Sequence, residues 1–243
     1  MAKSVQDLTR KEMKGPDQFQ VAAGKVASWV AANEKRLAAA VGAVLVVLLA
    51  GVGIASFQRS REGKAAGLLY QALEALDGEI SSVPLPGATR PIFPSQEAKQ
   101  RAVLAAAGEV RSQYPSSAAA LTATLVAAEA RLRLGEADAA QADFQRYLQD
   151  ARSDDSLRFR ALEGLARVQE GKGQIAEAVQ TWERLGKEAT FYGDRAALEM
   201  ARLLARSGKA EEARKILAAF PEQFKESPLR PEAQERLAAL GGK

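Results

Sequence analysis

Twenty-one consecutive residues, Leu37 to Phe57 (LAAAVGAVLVVLLAGVGIASF), carry neither a charge nor a proline. Lys35 and Arg36 stand before the run, and Arg59 and Arg61 follow it. At about 1.5 Å rise per residue, a helix of this length crosses a hydrocarbon core of roughly 30 Å. A helix also satisfies its own backbone hydrogen bonds, which lipid cannot do. The competing reading is a buried helix of a soluble domain. Helices of this length in soluble cores are rarely charge-free all round, which favours the membrane. The run divides the chain into a tail at 1–36, a transmembrane helix at 37–57 and a large domain at 58–243.

The domain is expected to be helical. Apolar residues make up 47% of the chain and aromatics only 6%, and no run of alternating Val, Ile or Thr suggests a strand. The expected fold class is all-α: one N-terminal transmembrane helix followed by an α-solenoid. The chain has no Cys and no His. Thiol chemistry, disulfides, Cys/His zinc sites and His general bases are thereby excluded. No pair of Asp or Glu stands out from solvated helix faces, and there is no Gly-rich phosphate loop or nucleophile elbow. The expectation is a non-enzyme without catalytic residues, cofactor or metal. Of the net charge of +4, +3 lies in residues 1–57. The domain has no basic run to track phosphates, so no nucleic-acid partner is expected. The basic tail suits anionic cytoplasmic lipid.

Residues 1–15 are polar and mixed in charge, and Gly15 and Pro16 close them. Asp17 is placed to cap a helix running to Arg36, with Phe19, Ala22, Val26, Trp29 and Val30 at helical spacing. This helix either lies along the membrane surface or simply continues into the apolar run. The small residues Gly53, Ile54 and Ala55 also fit a signal-peptidase site. An uncleaved anchor is favoured, because the preceding tail and the run are long. Lys and Arg are tied at three on each side within 20 residues, and the wider tail adds four. That balance leans towards a cytoplasmic N-terminus and an exported domain. Beyond the run, a helix is expected through Lys64 to Asp77 with Leu68, Leu69, Ala72, Leu73 and Leu76 on one face, stopped by Gly78. Four prolines between Ser81 and Pro94 mark a loop. Ser95 is set to cap a helix that ends at Tyr114–Pro115.

From there the sequence is periodic. Gly135, Gly173 and Gly208 are 38 and 35 residues apart. Five residues after each stands Ala140, Ala178 or Ala213, and nine after stands Phe144, Trp182 or Leu217. Seven before stands Ala128, Ala166 or Ala201. The spacing is close to the roughly 34-residue period of a tetratricopeptide repeat, which these residues resemble. Alanines permit close helix crossing, glycine serves the turn, and the bulky residue fills the space between repeats. The tyrosine usual in the first helix is replaced by Arg131, Gln169 and Leu204, so the repeats are degenerate. The Lys64–Tyr114 helices read as a degenerate earlier unit, and Pro231 to Leu240 as a final helix covering the end of the stack.

If the first helix of each repeat lines a concave groove, the lining is Thr122, Leu125, Glu129 and Arg133, then Arg160, Glu163, Arg167 and Glu170. It continues with Arg195, Leu198, Arg202 and Arg206. The candidate partner-binding residues are Glu129, Arg133, Arg160, Glu163, Arg167, Arg195, Arg202 and Arg206. The basic excess suits an acidic or extended partner segment. The alternative is ordinary solvated helix faces with pairs such as Glu163–Arg167 one turn apart. The sole Asn, Asn33, precedes the run, so the asparagine clamp that some members of this superfamily use on a terminal carboxylate is missing. Trp182, Phe191 and Tyr192 read as core more readily than as a ligand-stacking cluster.

The layout, with DQFQ and KVASWVAANEKR in the tail, one membrane helix and then degenerate repeats, resembles the YfgM-like family of bacterial inner-membrane proteins. The resemblance implies a single-pass inner-membrane protein with a cytoplasmic N-terminus and a periplasmic repeat domain. It also implies protein partners: the SecYEG translocon subunits, periplasmic chaperones or other envelope proteins. The leading expectation is a membrane-tethered adaptor that assists secretion or folding. The alternative is a structural subunit of a larger envelope complex that uses the repeats as a scaffold.

Overall fold

The computed structural model describes residues 18–83 and 86–241, with side chains from Val21 onward. The polar segment 1–15, the Gly15–Pro16 stop, the Asp17 cap, the Phe19 side chain and Pro84 lie outside the described residues. The chain forms two compact units, Met1–Arg59 and Ser60–Lys243.

The first unit holds α1 (Gln18–Ala32) and the opening part of α2 (Glu34–Asp77). The helix expected to reach Arg36 instead ends at Ala32. The Asn33 side chain donates to the Trp29 carbonyl at 2.9 Å, competing with the backbone ladder, and α2 begins one residue later. Helix α2 is long and apolar enough to cross a membrane. Its apolar window has a mean hydropathy of 2.7, and none of it is buried against protein.

The second unit contains the rest of α2, then β1 (Glu79–Ile80), β2 (Ile92–Phe93), α3 (Gln96–Gln113), α4 (Ala118–Leu134) and α5 (Ala137–Asp150). It continues with α6 (Arg158–Gly171), α7 (Ile175–Glu188), a 3-10 turn at Thr190–Tyr192, α8 (Gly193–Arg206), α9 (Ala210–Gln223) and α10 (Arg230–Gly241). Each helix from α3 onward packs on its sequence neighbours, which is the architecture of an α-solenoid. Three buried clusters run through it in chain order: α2 to α4, then α4 to α8, then α8 to α10.

The repeat register is visible in the turns. Gly135, Gly173 and Gly208 have φ of 77°, 75° and 83°, the left-handed region that a side chain resists. The following residue donates back to the carbonyl of Arg131, Gln169 or Leu204, at 3.0, 2.8 and 2.9 Å, closing each first helix in the same way. The six register alanines are buried, as are Phe144, Trp182 and Leu217. The three departures at Arg131, Gln169 and Leu204 occupy one slot, facing the residue twelve positions on. Arg131 pairs with Asp143, Gln169 accepts from Thr181 at 2.7 Å, and Leu204 and Ile216 belong to one apolar cluster. The slot is thus filled by an ion pair, a neutral hydrogen bond and a hydrocarbon contact in successive hairpins.

The earlier unit is present in part. Ala65, Ala72 and Ala75 of α2 are buried with Val103, Ala107 and Val110 of α3 and with α4. Leu73, expected on that inner face, is 41% exposed, because the smaller alanines make the close contact instead. The proline-rich loop carries a feature the sequence did not suggest: β1 and β2 pair in parallel, with Glu79 donating to Pro91 at 2.8 Å and Ser81 to Phe93 at 3.0 Å. Gly78 ends α2 as expected, and a Cβ there would sit 2.5 Å from the Phe93 ring. Ser95 caps α3, accepting from Ala98 at 3.1 Å.

Candidate functional site

Helices α4, α6 and α8 are the first helices of the three hairpins, and their successive turns repeat every three to four residues. That spacing sets Glu129 and Arg133 on α4, Arg160, Glu163, Arg167 and Glu170 on α6, and Arg195, Arg202 and Arg206 on α8. The structure joins most of them into an ion-pair ladder across the repeats. Arg160 of α6 reaches Glu129 of α4 at 2.8 Å. Glu163 takes Arg167 at 2.5 Å within α6 and accepts the Tyr192 hydroxyl at 3.0 Å. Glu170 of α6 takes two arginines from α8, Arg202 at 2.6 Å and Arg206 at 2.8 Å. Arg202 also binds Glu199 at 2.7 Å. Among the described residues, the side chains of Arg133 and Arg195 form no ion pair or hydrogen bond.

A hollow of about 450 Å³ between α4 and α6 brings together five of the candidates: Glu129, Arg133, Arg160, Glu163 and Arg167. Its floor is apolar, made by Leu132, Phe144 and Gly164. The remaining candidates, Arg195, Arg202 and Arg206, lie on α8 and are outside it. Two other residues expected in the lining, Leu125 and Leu198, are each only 3% exposed and belong to the core. Their apolar side chains turn inward while the charged neighbours a turn away stay wet.

The ladder also organises charge. Hydrogen bonding from Arg202 holds the Glu170 carboxyl below its ordinary range, aided by the charges of Arg202 and Arg206 and opposed by burial. The same contact raises Arg202. Because the folded state depresses Glu170, its contribution is present above the ordinary carboxylate pKa of 4.5 and is lost as pH falls through the lower folded value. The Glu170→Gln variant is therefore expected to be less stable than the parent at neutral pH. The gap should close in acid, read from urea midpoints across a pH series.

Sequence reasoning missed two features beside the ladder. Arg158 is buried and pins three elements: it donates to Glu188 at 3.0 Å and to the carbonyls of Leu148 and Ala151 at 3.0 and 3.2 Å. Phe191, expected in the core, is 72% exposed. It sits on the 3-10 turn, off helical spacing, with its ring edge-on to Phe159 at 5.3 Å and near Tyr192 at 6.3 Å. Of Trp182, Phe191 and Tyr192, only Trp182 is fully in the core.

A family model described as a tetratricopeptide repeat-like domain matches residues 27–189. No curated protein matches the sequence. Among solved structures, a tetratricopeptide repeat protein from Parabacteroides merdae is similar at 12% identity and a TM-score of 0.55, over 73% of this chain and 60% of that one. The chain thus spans less than two thirds of that protein's length. The TPR-like repeats of a kinesin light chain from Podosopora anserina align at 18% identity and a TM-score of 0.50, over 76% of this chain and 85% of that one. At these identities the likeness is one of fold.

Proposed function

The chain belongs to the tetratricopeptide repeat-like domain family, and on that premise we propose that it is a non-enzymatic, membrane-tethered protein-interaction adaptor. The observation that carries the reading is the face of α4, α6 and α8, where the ladder holds arginines in place and leaves Arg133 and Arg195 free to bind. Six arginines against three glutamates in the lining favour an acidic partner segment, held by charge-assisted hydrogen bonds. Tethering rests on α2. Its Val44 to Val52 stretch exposes one large apolar side chain after another, a surface that water penalises and lipid accepts. The family match runs from residue 27, ahead of the apolar run, to residue 189, so it takes in the run together with the helices up to α7. Anchoring raises the effective concentration of the repeats for partners at the same membrane.

The tail's charges and the resemblance to the YfgM-like family support a finer assignment. The N-terminus is cytoplasmic, the span is single-pass in a bacterial inner membrane, and the repeats are periplasmic. The partners are then translocon subunits, periplasmic chaperones or other envelope proteins in secretion or folding.

The ladder decides which residues test the groove. Reversing Arg160, Arg167 or Arg202 would set like charges against Glu129, Glu163 or Glu170 and disturb the fold as well. Arg133→Glu and Arg195→Glu leave the ladder intact. In the full chain, the pair of substitutions is expected to cut recovery of co-purifying partners by about tenfold or more, with the melting curve unchanged. Undiminished recovery would refute the groove as the docking surface.

A further inference from the structure

A second hollow, of about 780 Å³, opens between α7 and α9 over α8 and shares no residue with the groove. Small residues let the elements around its floor pack closely. A Cβ on Gly186 would already stand 3.4 Å from that of Ala196, and one on Gly193 would stand 3.3 Å from the Phe224 ring. Trp182, Met200, Ile216 and Phe224 supply apolar wall.

Two groups around it point to an occupant. Trp182 is 1% exposed, and its Nε1 has no hydrogen-bond partner. A buried N–H without an acceptor costs free energy, and native structures rarely leave one so. Lys215 at the rim makes no ion pair among the described residues, whereas its neighbour across the hollow, Lys187, is neutralised by Glu183 at 2.7 Å. An indole and an ammonium can only donate, so the missing atoms are acceptors. We propose that this hollow is a second docking site, independent of the groove, for an acidic and apolar segment of a partner protein. Its apolar side chain enters between α7 and α9. One of its oxygens accepts from Trp182, and a carboxylate lies opposite Lys215.

The chain has two tryptophans, so Trp29→Phe leaves Trp182 as the sole indole reporter. A phage-displayed library of random peptides would be panned on this full chain in lipid nanodiscs, and enriched peptides titrated while following the indole N–H resonance. Peptides combining Asp or Glu with large apolar residues are expected, and they should shift that resonance. Ala219→Phe fills the hollow from an exposed position on α9, and Lys215→Glu reverses the rim. Each should weaken binding about tenfold or more. Arg133→Glu with Arg195→Glu should leave it unchanged, which separates failure here from failure of the groove. The proposal is overturned if no peptide is enriched, if the enriched peptides are basic, if they bind the Ala219→Phe chain as tightly, or if the indole resonance does not move.

Discussion

Asp143→Ala should destabilise the repeat unit by about 3 kcal/mol, the lower end of what breaking a buried ion pair costs. Asp143 lies on α5 with its side chain 7% exposed. It receives Arg111 of α3 at 3.2 and 3.3 Å and a very short contact from Arg131 of α4. One carboxylate therefore ties three consecutive helices. Both guanidiniums are only 26% exposed. Removing the carboxylate leaves two partly dehydrated cations facing each other, which is why the loss exceeds that of a surface pair. The third hairpin shows the remedy, since it fills the equivalent slot with Leu204 and Ile216. A triple variant, Arg111→Met, Arg131→Leu and Asp143→Ile, should regain most of the loss, because a packed hydrocarbon slot needs no desolvated charge. Urea unfolding followed by far-ultraviolet circular dichroism reads both. A loss below about 1 kcal/mol in Asp143→Ala would mean that the cluster behaves like a solvent-exposed pair.

Gly164→Ala should lower stability by about 2 kcal/mol, within the cost of overpacking a core. In an exposed helix the same change would raise stability by up to about 1 kcal/mol. The sign reverses here because a Cβ on Gly164 would lie 2.2 to 2.8 Å from three atoms of the Phe144 ring. That ring is fully buried in the cluster that joins α4 to α8, so displacing it disturbs the packing around it. Phe144→Leu in the same chain should relieve the clash, so the double variant should be more stable than the sum of the single losses. Gly164 and Phe144 also floor the hollow between α4 and α6. Gly164→Ala is thus expected to weaken groove binding too. A neutral or stabilising result would show that α6 and α5 are not in the contact described.

Much of the architecture could be read from residue order because it depends on local rules. The three glycines with positive φ, the alanines at fixed offsets and the bulky residue beyond them mark each hairpin without knowledge of its neighbours. Ser95 as a cap and Gly78 as a stop were equally local. What the sequence withheld depends on contacts between helices. Arg131, Gln169 and Leu204 look like unrelated departures until Asp143, Thr181 and Ile216 are seen opposite them. The charged residues of the groove could be named from their spacing along each helix. The pair within α6, Glu163–Arg167, could be named in the same way, but the pairing between helices could not, since Arg160–Glu129 and Arg202–Glu170 join residues 31 and 32 positions apart. Leu125 and Leu198 fell on the wrong side because one helix face grades into the next within a turn, and apolar side chains take the inner edge. Phe191 was misplaced for a different reason: a three-residue 3-10 turn shifts the helical phase on which the core assignment relied. The short β1–β2 pairing rests on two residues from each side of the loop, too few to leave an alternating pattern.

We propose that α2 anchors the repeats to a membrane, with their binding faces on its outer side. The chain has no cysteine, so Ser153→Cys, at an exposed position in the loop before α6, gives a single label site. Cells of a Gram-negative host with a permeabilised outer membrane would be treated with a maleimide that does not cross the inner membrane. Labelling in intact spheroplasts, with the protein sedimenting in the membrane fraction through an alkaline wash, is the result predicted here. Protection of Ser153→Cys until the inner membrane is lysed, or release of the protein by the alkaline wash, would contradict it.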